Sequence, residues 1–442
     1  MINQSQPSES IQWDRPILIG GCPSTGSTLL SVMLDAHPSI LCGPELTLFA
    51  HRFFWNQSGE EWRRSLLYFL ERGYLSTGEP QWTLGNGFCP YAGPLQFDSL
   101  PWYGWSKAAF LDAVRNSSCA GEVIRQFYAP VLQSHGKRIW AEKSPPNLYA
   151  FQEFLDCYPQ GRVICLVRDA RDVVCSLMRR QGGSFKKAVS TWLVETAICE
   201  AYRQHPRVLF IRYEDLVLDA RNTIQRILTS LGLTLEVDRL LRFYEHSSRI
   251  GSDPSIARID AWRANPGQPV SSKSVGAWQT DLTPEQLAAM AAAVIVEPVE
   301  HYPGITGQSV DRLLQAFGYE PIRIPGVQPA ALLTLINREK LFLCGDDYEG
   351  ESVFHEGFVE CDPNRLPPCE RSWGEQRLLQ KLSRLRTVFD LKHHELEAKH
   401  RQLKEELGEV KAWRSRVYSD PIVRVVLGTH RLLRRLLRNG AH

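Results

Sequence analysis

The stretch GGCPSTGSTLL, residues 20–30, follows an apolar run and decides how the chain can fold. Gly21 and Gly26 have the spacing of the phosphate-binding pattern G-x-x-x-x-G-K-[ST], and Thr28 fills its last position, but Ser27 stands where that pattern has lysine. A glycine-rich turn between a strand and a helix presents backbone N–H groups and a positive helix end to an anion. The stretch therefore predicts a P-loop-like anion site without the usual lysine, although on spacing alone a simple turn fits equally well.

Continuously apolar runs are typical of the buried strands of a parallel sheet. The β-rich runs are PILIG (16–20), SILCG (39–43), RIWAEK (138–143), RVICLV (162–167) and RVLFIRY (207–213). The helical stretches that separate or follow them are 28–36, 146–157, 171–181, 184–204 and 221–231. Because strands and helices alternate, the sequence predicts an α/β fold, a three-layer sandwich with a central parallel sheet of about five strands.

Polar segments lie at the ends of four of these predicted strands or just beyond them. They are Gly20–Thr28, Glu45, Lys143 and Arg168. In an open parallel sheet, ligands bind outside the carboxyl ends of the strands. We therefore expect these four segments to converge on one edge of the sheet and to form the functional site there.

Changes in composition divide the chain into several parts. We expect a polar tail at 1–14, a main domain at 15–322, a linker at 323–372, a long amphipathic helix at 373–417 and a basic amphipathic tail at 418–442. Residues 50–130 form a long insertion in the main domain, and its middle, 80–105, is rich in Gly, Pro and aromatic residues. We interpret the insertion as a cap or acceptor-binding lid. A packed helical cap without ligand contact is the alternative, because aromatic residues pack cores equally well.

The C-terminal helical extension carries apolar residues at a seven-residue spacing. They are Leu382, Phe389, Leu396, Leu403, Val410 and Val417. A two-seam coiled coil needs a second apolar seam, and here that seam becomes polar after Leu385. The final stretch has five arginines and no acidic residue after Asp420. We predict a long helix and a possible coiled coil, used for self-association or peripheral membrane contact, with simple packing on the main domain or fraying as the alternative.

The overall composition is that of a globular protein, with 43% hydrophobic residues, 23% charged residues and a formal net charge of +2. This charge balance argues against a nucleic-acid partner. The 11 cysteines include no C-x-x-C pair and indicate neither a zinc site nor a disulfide framework. No signal-peptide pattern is visible, and the longest near-apolar run, 287–296, is too short to cross a bilayer. We therefore expect a cytoplasmic protein without a metal.

A second basic segment, RVICLVRDARDVVCSLMRR (162–180), offers another anion site. Arg168 follows a predicted strand, and Ser176 and Arg180 are i and i+4 neighbours on one face of the next helix. Arginine binds phosphate in a planar, bidentate geometry, and a serine hydroxyl adds a donor. A surface network among the alternating charges at 168–172 is the alternative interpretation.

These motifs together resemble those of sulfotransferases that use 3′-phosphoadenosine 5′-phosphosulfate (PAPS). GGCPSTGSTLLSVMLDAHPSILCGPE is similar to their 5′-phosphosulfate loop and the segment after it, and VRDARDVVCSLMRR is similar to their 3′-phosphate motif. IRYEDLVLDARNTIQRILTSLGL and VGAWQTDLTPEQLAAM resemble later parts of the family. The likeness covers about residues 15–322, and the segments CGPE and AEKSPPN are closest to the tyrosylprotein-sulfotransferase-like branch.

The resemblance implies a role for each matching residue. The loop residues that would bind the 5′-phosphosulfate are Ser24, Thr25, Gly26, Ser27 and Thr28. Arg168 and Ser176 would bind the 3′-phosphate, with Arg180 as a third contact. Glu45 would be the catalytic base, and Lys143 would neutralise charge on the leaving phosphate. The serines that match a further assisting position are Ser271, Ser272 and Ser274. A base, a cation and an amide nest can serve sulfuryl transfer without a metal.

Other interpretations stay open for three of the polar residues. Glu45 follows Pro44 and can be a carboxylate at a helix start, where the helix dipole favours it. Lys143 can be an exposed lysine at a strand end. His37, which precedes Pro38, is a competing base, although a structural role at the end of the first helix is favoured.

One position departs from the family pattern. The family usually has arginine or lysine where this chain has Ser24, and that cation contacts the phosphosulfate. Either Lys143 and a relocated arginine, Arg15 or Arg52, cover the charge, or turnover is weak, or the protein binds nucleotide without catalysis.

The leading hypothesis from the sequence is a PAPS-dependent sulfotransferase that acts on a hydroxyl acceptor. The acceptor is left open among a protein tyrosine, a sugar, a lipid and a small molecule. One alternative is a nucleotide-binding scaffold or sensor without catalysis. Another is a degenerate P-loop kinase or NTPase, which the missing loop lysine disfavours.

Overall fold

A five-stranded parallel sheet forms the centre of the main part of the chain. Its strands are β1 (Ile17–Gly21), β2 (Ile40–Cys42), β3 (Ile139–Lys143), β4 (Arg162–Val167) and β5 (Val208–Arg212). The strand order is β2-β3-β1-β4-β5, so that β1 lies in the middle, with Ile17 in register with Ala141 on one side and Arg162 on the other. The prediction of an α/β fold with a parallel sheet of about five strands is confirmed.

The computed structural model describes most of the main domain and little of the C-terminal extension. The described residues are 10–72, 97–181, 185–253, 256, 267–295, 302–323, 332–334, 358–360, 400 and 404. The chain divides into two units, Met1–Leu385 and Arg386–His442. The domain boundaries expected from the sequence stay predictions.

Helices follow the strands as the alternating pattern predicts. They are α1 (Ser27–Asp35), α2 (Arg52–Asn56), α3 (Gly59–Arg72), α4 (Lys107–Arg115), α5 (Ala120–Ser134), α6 (Phe151–Cys157), α7 (Ala170–Gln181), α8 (Phe185–Glu200), α9 (Tyr213–Leu218), α10 (Ala220–Leu231), α11 (Val237–Leu241), α12 (Phe243–His246), α13 (Trp278–Asp281), α14 (Pro284–Ala291) and α15 (Val310–Ala316). Short 3₁₀ turns occur at Leu48–Ala50, Phe97–Tyr103, Pro145–Ala150 and Pro303–Ile305.

Both faces of the sheet are covered by apolar side chains, which is why most of its strands are continuously apolar in sequence. Successive residues of a strand point to opposite faces. Ile17 and Ile19 accordingly pack in one cluster with residues of α1, α10 and α11, whereas Leu18 between them packs in a second cluster. The second cluster also includes residues of α6, α8 and the cap. The sheet therefore lies between two layers of helices.

The insertion between β2 and β3 forms a packed, aromatic-rich cap. Its described elements are α2, α3, the turn Phe97–Tyr103, α4 and α5, whereas residues 73–96 lie outside the described part. The ring centroids of Tyr128 and Trp140 are 5.1 Å apart, and those of Tyr103 and Phe127 are 4.9 Å apart. The first pair joins the cap to β3 and the second lies within the cap, and a contact of the cap with an acceptor stays a prediction.

The segment 323–372, expected from its sequence to be loop-like, contains two short strands. They are β7 (Leu332–Thr334) and β8 (Phe358–Glu360). With β6 (Val294–Ile295) they form a second sheet, in which β6 and β7 are parallel and β7 and β8 are antiparallel.

The predicted helix at 373–417 and the basic tail at 418–442 lie outside the described residues, apart from His400 and Lys404, which are helical. The coiled coil, self-association and membrane contact therefore stay predictions. Within the described ranges, no helix combines the length and the apolar character needed to cross a membrane.

Candidate active site

The glycine-rich loop that begins at the end of β1 has a backbone that favours glycine at two positions. Gly21 has φ 136° and Gly26 has φ 86°, both in the region that side chains disfavour. A Cβ atom on Gly21 would lie 2.3 Å from the carbonyl oxygen of Leu166, and one on Gly26 would lie 2.4 Å from the ring of Tyr213. The loop therefore packs tightly against β4 and the start of α9.

The loop ends at the N-terminus of α1, and Gly26 is the N-cap residue of that helix. Gly26 supplies no side-chain cap, so the positive end of α1 is available to an anion. Thr25 and Ser27 are buried, Ser24 and Thr28 are half-buried, and Thr25 Oγ1 donates to the carbonyl oxygen of Cys22 at 2.7 Å. The five predicted loop residues thus surround one helix N-terminus.

Lys143, at the end of β3, joins the loop to Glu45. The lysine is 1% exposed, and its Nζ donates to Thr28 Oγ1 at 3.0 Å and also forms an ion pair with Glu45. The Glu45 side chain is 32% exposed, so its carboxylate reaches the surface of the site. The structure therefore brings Glu45, Lys143 and Thr28 together, as the convergence argument expects.

The alternative interpretations of these two residues do not fit the structure. Lys143 is buried rather than exposed. Glu45 lies in an irregular segment ahead of the 3₁₀ turn Leu48–Ala50, and not in the first turn of a helix. Lys143 is instead a buried cation held between the loop and a partly exposed carboxylate, and the catalytic roles of both residues stay predictions.

Arg168 follows β4 and lies beside the loop. Its guanidinium donates from Nη1 to the carbonyl oxygen of Ser24 at 3.0 Å and from Nη2 to the carbonyl oxygen of Ser274 at 2.6 Å. Its Cζ lies 4.3 Å from the centre of the Tyr213 ring, and the residue is 6% exposed. The Nε atom is buried and has no hydrogen-bond partner among the described residues. Because Nη2 also lies 3.7 Å from Asp172 Oδ2, Nε is the donor of this guanidinium that is left for an anionic group.

Comparison with known proteins shows the family of the chain. Residues 16–237, half of the chain, match the model of the "Sulfotransferase family". The chain belongs to the sulfotransferase family. The resemblance seen in the sequence is thereby confirmed.

The relatives of this sulfotransferase include protein-tyrosine sulfotransferases. Protein-tyrosine sulfotransferase A of Caenorhabditis elegans is 23% identical over 322 residues, which cover 69% of this chain and 67% of the relative. Protein-tyrosine sulfotransferase 2 of Gallus gallus is 24% identical over 293 residues, covering 62% and 66%. The chain thus spans about two thirds of the length of these relatives. The solved sulfotransferase domain from the curacin biosynthetic pathway has a TM-score of 0.45 and 20% identity, covering 69% of this chain and 98% of that chain.

The second motif of this sulfotransferase is only partly described. Ser176 lies on α7 and is half-buried, whereas the side chain of Arg180 lies outside the described part. The charged residues at 168–172 do interact, since Arg171 pairs with Asp169. All four of them are buried, however, so they do not form the surface network of the alternative interpretation. The roles of Ser176 and Arg180 at a phosphate stay predictions.

Asp172 attaches a remote segment to this site. Its carboxylate accepts hydrogen bonds from the backbone N–H of Gly276 at 2.8 Å and of Trp278 at 3.1 Å. Burial raises the pKa of Asp172, and the charge of Arg168 opposes that rise. Ser274 is buried next to this anchor and offers its carbonyl oxygen to Arg168.

The other two candidate serines differ from Ser274 in their environment. Ser271 is half-buried and Ser272 is exposed. Ser274 contacts Arg168 through its backbone carbonyl oxygen, and the assisting role of any of the three serines stays a prediction.

The two arginines named in one of the three alternatives for the missing loop cation form contacts elsewhere, which disfavours that alternative. Arg15 precedes β1, at the opposite edge of the sheet, and its Nη2 donates to the carbonyl oxygen of Leu231 at 3.2 Å. Arg52 forms an ion pair with Glu153 of α6. The cation that contacts the loop at Ser24 is Arg168, because β1 and β4 are neighbours in the sheet.

His37 has a structural role. The backbone N–H of Ser39 donates to Nδ1 at 3.0 Å, so Nε2 carries the proton and faces the carbonyl oxygen of Thr234 at 3.3 Å. Burial lowers the pKa of His37, which keeps the ring neutral. The histidine therefore closes the end of α1, as the favoured interpretation states.

A buried polar network behind α1 was missed by the sequence argument. Arg249, fully buried, donates to Ser31 Oγ at 2.6 Å and pairs with Asp253, and Ser31 Oγ donates to the carbonyl oxygen of Thr28 at 2.8 Å. Asp35, at the other end of α1, pairs with Lys137 at 2.7 Å. No local pattern marks residues 247–253 as partners of α1, since the contact depends on how remote segments pack.

Metal ligands do not gather anywhere in the described ranges, where no group of three or more His, Cys, Asp or Glu side chains is placed to hold an ion. The expectation of chemistry without a metal stays a prediction.

Proposed function

We propose that this sulfotransferase moves a sulfuryl group from PAPS to a hydroxyl acceptor. The observation that carries the proposal is the contact of Lys143 with both Thr28, at the phosphate loop, and Glu45, at the surface of the site. It places a cation and a candidate base side by side at the N-terminus of α1.

The donor would be bound by the elements that surround the loop. The positive end of α1 and the backbone of Ser24–Thr28 suit the 5′-phosphosulfate. Arg168, with its unpartnered Nε, and Ser176 suit the 3′-phosphate, since arginine recognises phosphate by a planar fork of donors. Arg168 contacts the loop as well, so one cation serves both parts of the donor site.

The chemistry assigned to the residues follows from their charges. Bound PAPS supplies a sulfuryl group joined to phosphate through a bridging oxygen. Glu45 accepts the proton of the acceptor hydroxyl while the hydroxyl oxygen forms the new bond to sulfur. Lys143 stabilises the negative charge that remains on the bridging oxygen when its bond to sulfur breaks, and 3′,5′-adenosine bisphosphate leaves with that electron pair.

The acceptor is proposed to be a phenolic hydroxyl. Named relatives of the chain are protein-tyrosine sulfotransferases, and the cap beside Glu45 is rich in aromatic side chains. A sugar, a lipid or a small molecule is tested in the same assay by exchanging the acceptor. A cytoplasmic location of the protein remains part of the proposal.

The donor site is tested by calorimetric titration with 3′,5′-adenosine bisphosphate, the proposed product. Wild type and Arg168→Ala are compared with Arg162→Ala, which changes an arginine at the opposite end of the same strand. We expect micromolar binding by wild type and Arg162→Ala, and a loss of at least about 100-fold in Arg168→Ala, because a charged hydrogen-bond partner is removed. No binding by folded wild type would remove the proposed donor.

Transfer itself is tested with ³⁵S-labelled PAPS and a tyrosine-containing acidic peptide. A labelled peptide in the wild-type reaction supports the enzyme. Binding of the bisphosphate without transfer to this peptide or to sugar, lipid and phenol acceptors favours the nucleotide-binding scaffold instead. The kinase alternative has no support from the family match, and ATP hydrolysis by the protein would revive it.

A further inference from the structure

The segment that carries Glu45 is held by its backbone as well as by its side chain. The N–H of Leu46 donates to Glu142 Oε1 at 3.1 Å, and the N–H of Thr47 donates to Ser144 Oγ at 3.0 Å. On the other side, the hydroxyl of Tyr103 donates to the carbonyl oxygen of Pro44 at 2.8 Å. Hydrogen bonds therefore reach the residues on both sides of Glu45.

Glu142 is the centre of a buried polar group that also includes Ser144 and Asn147, called here the Glu142 network. Glu142 is fully buried, and its Oε1 also accepts from Ser144 Oγ at 2.7 Å. Its Oε2 accepts from Asn147 Nδ2, and the same amide donates to the carbonyl oxygen of Ile19 at 2.9 Å. Both amide protons are thus used, and every partner of the carboxylate is a donor.

Burying the Glu142 carboxylate costs desolvation free energy, which the hydrogen bonds of the network offset. Burial raises the pKa of Glu142, whereas the donors from Asn147, Ser144 and Leu46 oppose that rise. A buried carboxylate is tolerated only where donors satisfy its oxygens. Such a group next to a reactive segment calls for an explanation beyond packing, because an apolar side chain of similar size fills the same space without that cost.

The backbone of the held segment is strained. Thr47 has φ 59°, a left-handed conformation that a β-branched residue disfavours. Its N–H is bound by Ser144, and its own hydroxyl donates to the carbonyl oxygen of Leu46 at 2.7 Å. Strain of this kind persists where the surroundings impose it, and it is concentrated at functional sites.

Strand alternation places two neighbouring residues of β3 on opposite faces of the sheet. Lys143 points to the face of the sheet that α1 covers, and it contacts the Glu45 carboxylate. Glu142 points to the face that the cap covers, and it accepts from the backbone N–H of Leu46, the residue after Glu45. One short stretch of β3 therefore holds Glu45 from two directions.

We propose that Glu142 is a positioning residue for Glu45, which fixes the backbone of residues 45–47 through Leu46 N–H and the Glu142 network so that the Glu45 carboxylate stays at Lys143. The catalytic part of this inference rests on the proposed function of Glu45 as base. The positioning part concerns the chain alone.

The positioning part is tested by hydrogen–deuterium exchange in full-length protein without ligand. In Glu142→Ala the amide of Leu46 loses its acceptor, and Ser144, the acceptor of the Thr47 amide, loses the carboxylate that orients its hydroxyl. We expect hydrogen exchange of both amides to become at least about tenfold faster. The isosteric Glu142→Gln keeps an oxygen for Leu46 N–H but turns an NH2 group toward the Asn147 amide, so we expect exchange rates between those of wild type and Glu142→Ala. Glu195→Gln changes another buried carboxylate, which accepts from Tyr149 at 2.6 Å, and should leave residues 44–47 unchanged.

The catalytic part is tested by a double-mutant cycle of Glu142→Gln and Glu142→Ala with Glu45→Gln. We expect Glu142→Ala to lower kcat for the tyrosyl peptide by about tenfold or more, with the KM for PAPS changed less than about threefold. In the Glu45→Gln background the same change should have an effect of less than about twofold, because a residue that acts through Glu45 has nothing left to position.

The outcomes separate the two proposals. Unchanged exchange of the Leu46 and Thr47 amides in a folded Glu142→Ala protein overturns the positioning role. The positioning role is also overturned if Glu142→Ala lowers kcat by the same factor in the Glu45→Gln background as in wild type, because Glu142 then acts independently of Glu45. If wild type transfers no sulfuryl group, the function proposed for the site fails, and the exchange result still decides whether Glu142 orders this segment.

Discussion

The guanidinium of Arg168 lies 3.0 Å from the carbonyl oxygen of Ser24, the position at which the family pattern noted in the sequence predicts a cation. This contact brings a buried positive charge from β4 to the loop after β1, because the two strands are neighbours in the sheet. The loop therefore has a cation at its side, although its own sequence has none between Gly20 and Thr28.

Restoring the family cation should strengthen donor binding. Ser24→Arg is expected to lower the Kd for PAPS by about tenfold at low salt, since a charge-assisted hydrogen bond is added, and the gain should fall as salt rises. Ser24→Gln provides a similar side-chain length without the charge. Equal affinities of the two variants, measured by calorimetry, would show that Arg168 already supplies all the charge that the loop uses.

Changing Gly26 to alanine should disrupt the loop beyond the effect of backbone strain. Gly26 and Gly59 have nearly the same φ, 86° and 88°, but a Cβ on Gly26 meets Tyr213 whereas one on Gly59 has nothing within 4 Å. Gly59→Ala should cost about 1–2 kcal/mol of stability. Gly26→Ala should cost more, by urea unfolding, and should lose bisphosphate binding.

If Gly26→Ala and Gly59→Ala have the same free energy of unfolding and the same bisphosphate affinity, the close approach of Tyr213 to the loop is not a constraint.

Replacing the proposed base should separate binding from turnover. Glu45→Gln keeps the shape of the side chain but cannot accept the proton, so the rate of peptide sulfation should fall by about 100-fold or more. The Kd for 3′,5′-adenosine bisphosphate should change less than about threefold, because Glu45 contacts the loop only through Lys143. Full activity in this variant, measured with labelled PAPS, removes Glu45 as base.

Asp35 should contribute stability that depends on pH. Burial acts to raise its pKa, but the charge of Lys137 and hydrogen bonds from Ser247 and Ser248 outweigh that effect and hold the pKa below its ordinary 3.8. Because the folded-state pKa is depressed, the contribution is present above pH 3.8 and is lost as pH falls through the lower folded value.

Urea unfolding at several pH values tests this assignment. The difference in free energy of unfolding between wild type and Asp35→Asn should be largest near neutral pH and should shrink in acid below the ordinary pKa of 3.8. Asp238→Asn, which changes an exposed carboxylate that pairs with Arg221, should differ little from wild type at any pH. A difference for Asp35→Asn that stays constant with pH contradicts the assignment.

The C-terminal extension should control the oligomeric state. The seven-residue apolar spacing between Leu382 and Val417 predicts self-association. Sedimentation of the full chain is compared with that of a chain ending at residue 372. We expect the shortened chain to be monomeric, and the same association state in both chains excludes this role.

The strands and the phosphate loop of this protein could be predicted because their signals are local. β1 to β5 each coincide with a predicted β-rich run, most of them continuously apolar, and Gly21 and Gly26 occupy positions where a side chain has no room. Glu45, Lys143 and Arg168 could be placed at one edge because parallel strands bring their carboxyl ends together. The cap between residues 50 and 130 could be recognised as an insertion, but its packing could not be foreseen.

The sequence by itself determined the parallel α/β sheet, the loop between β1 and α1, and the set of polar residues that follow the strand ends, since periodicity and spacing act over a few residues. Only the tertiary structure decided which groups hold those residues. Arg249 lies 218 positions from Ser31 in the chain, and Glu142 lies 96 positions from Leu46, yet each pair forms a hydrogen bond. Such contacts depend on how remote segments pack around a common core, and no local pattern of side chains encodes them.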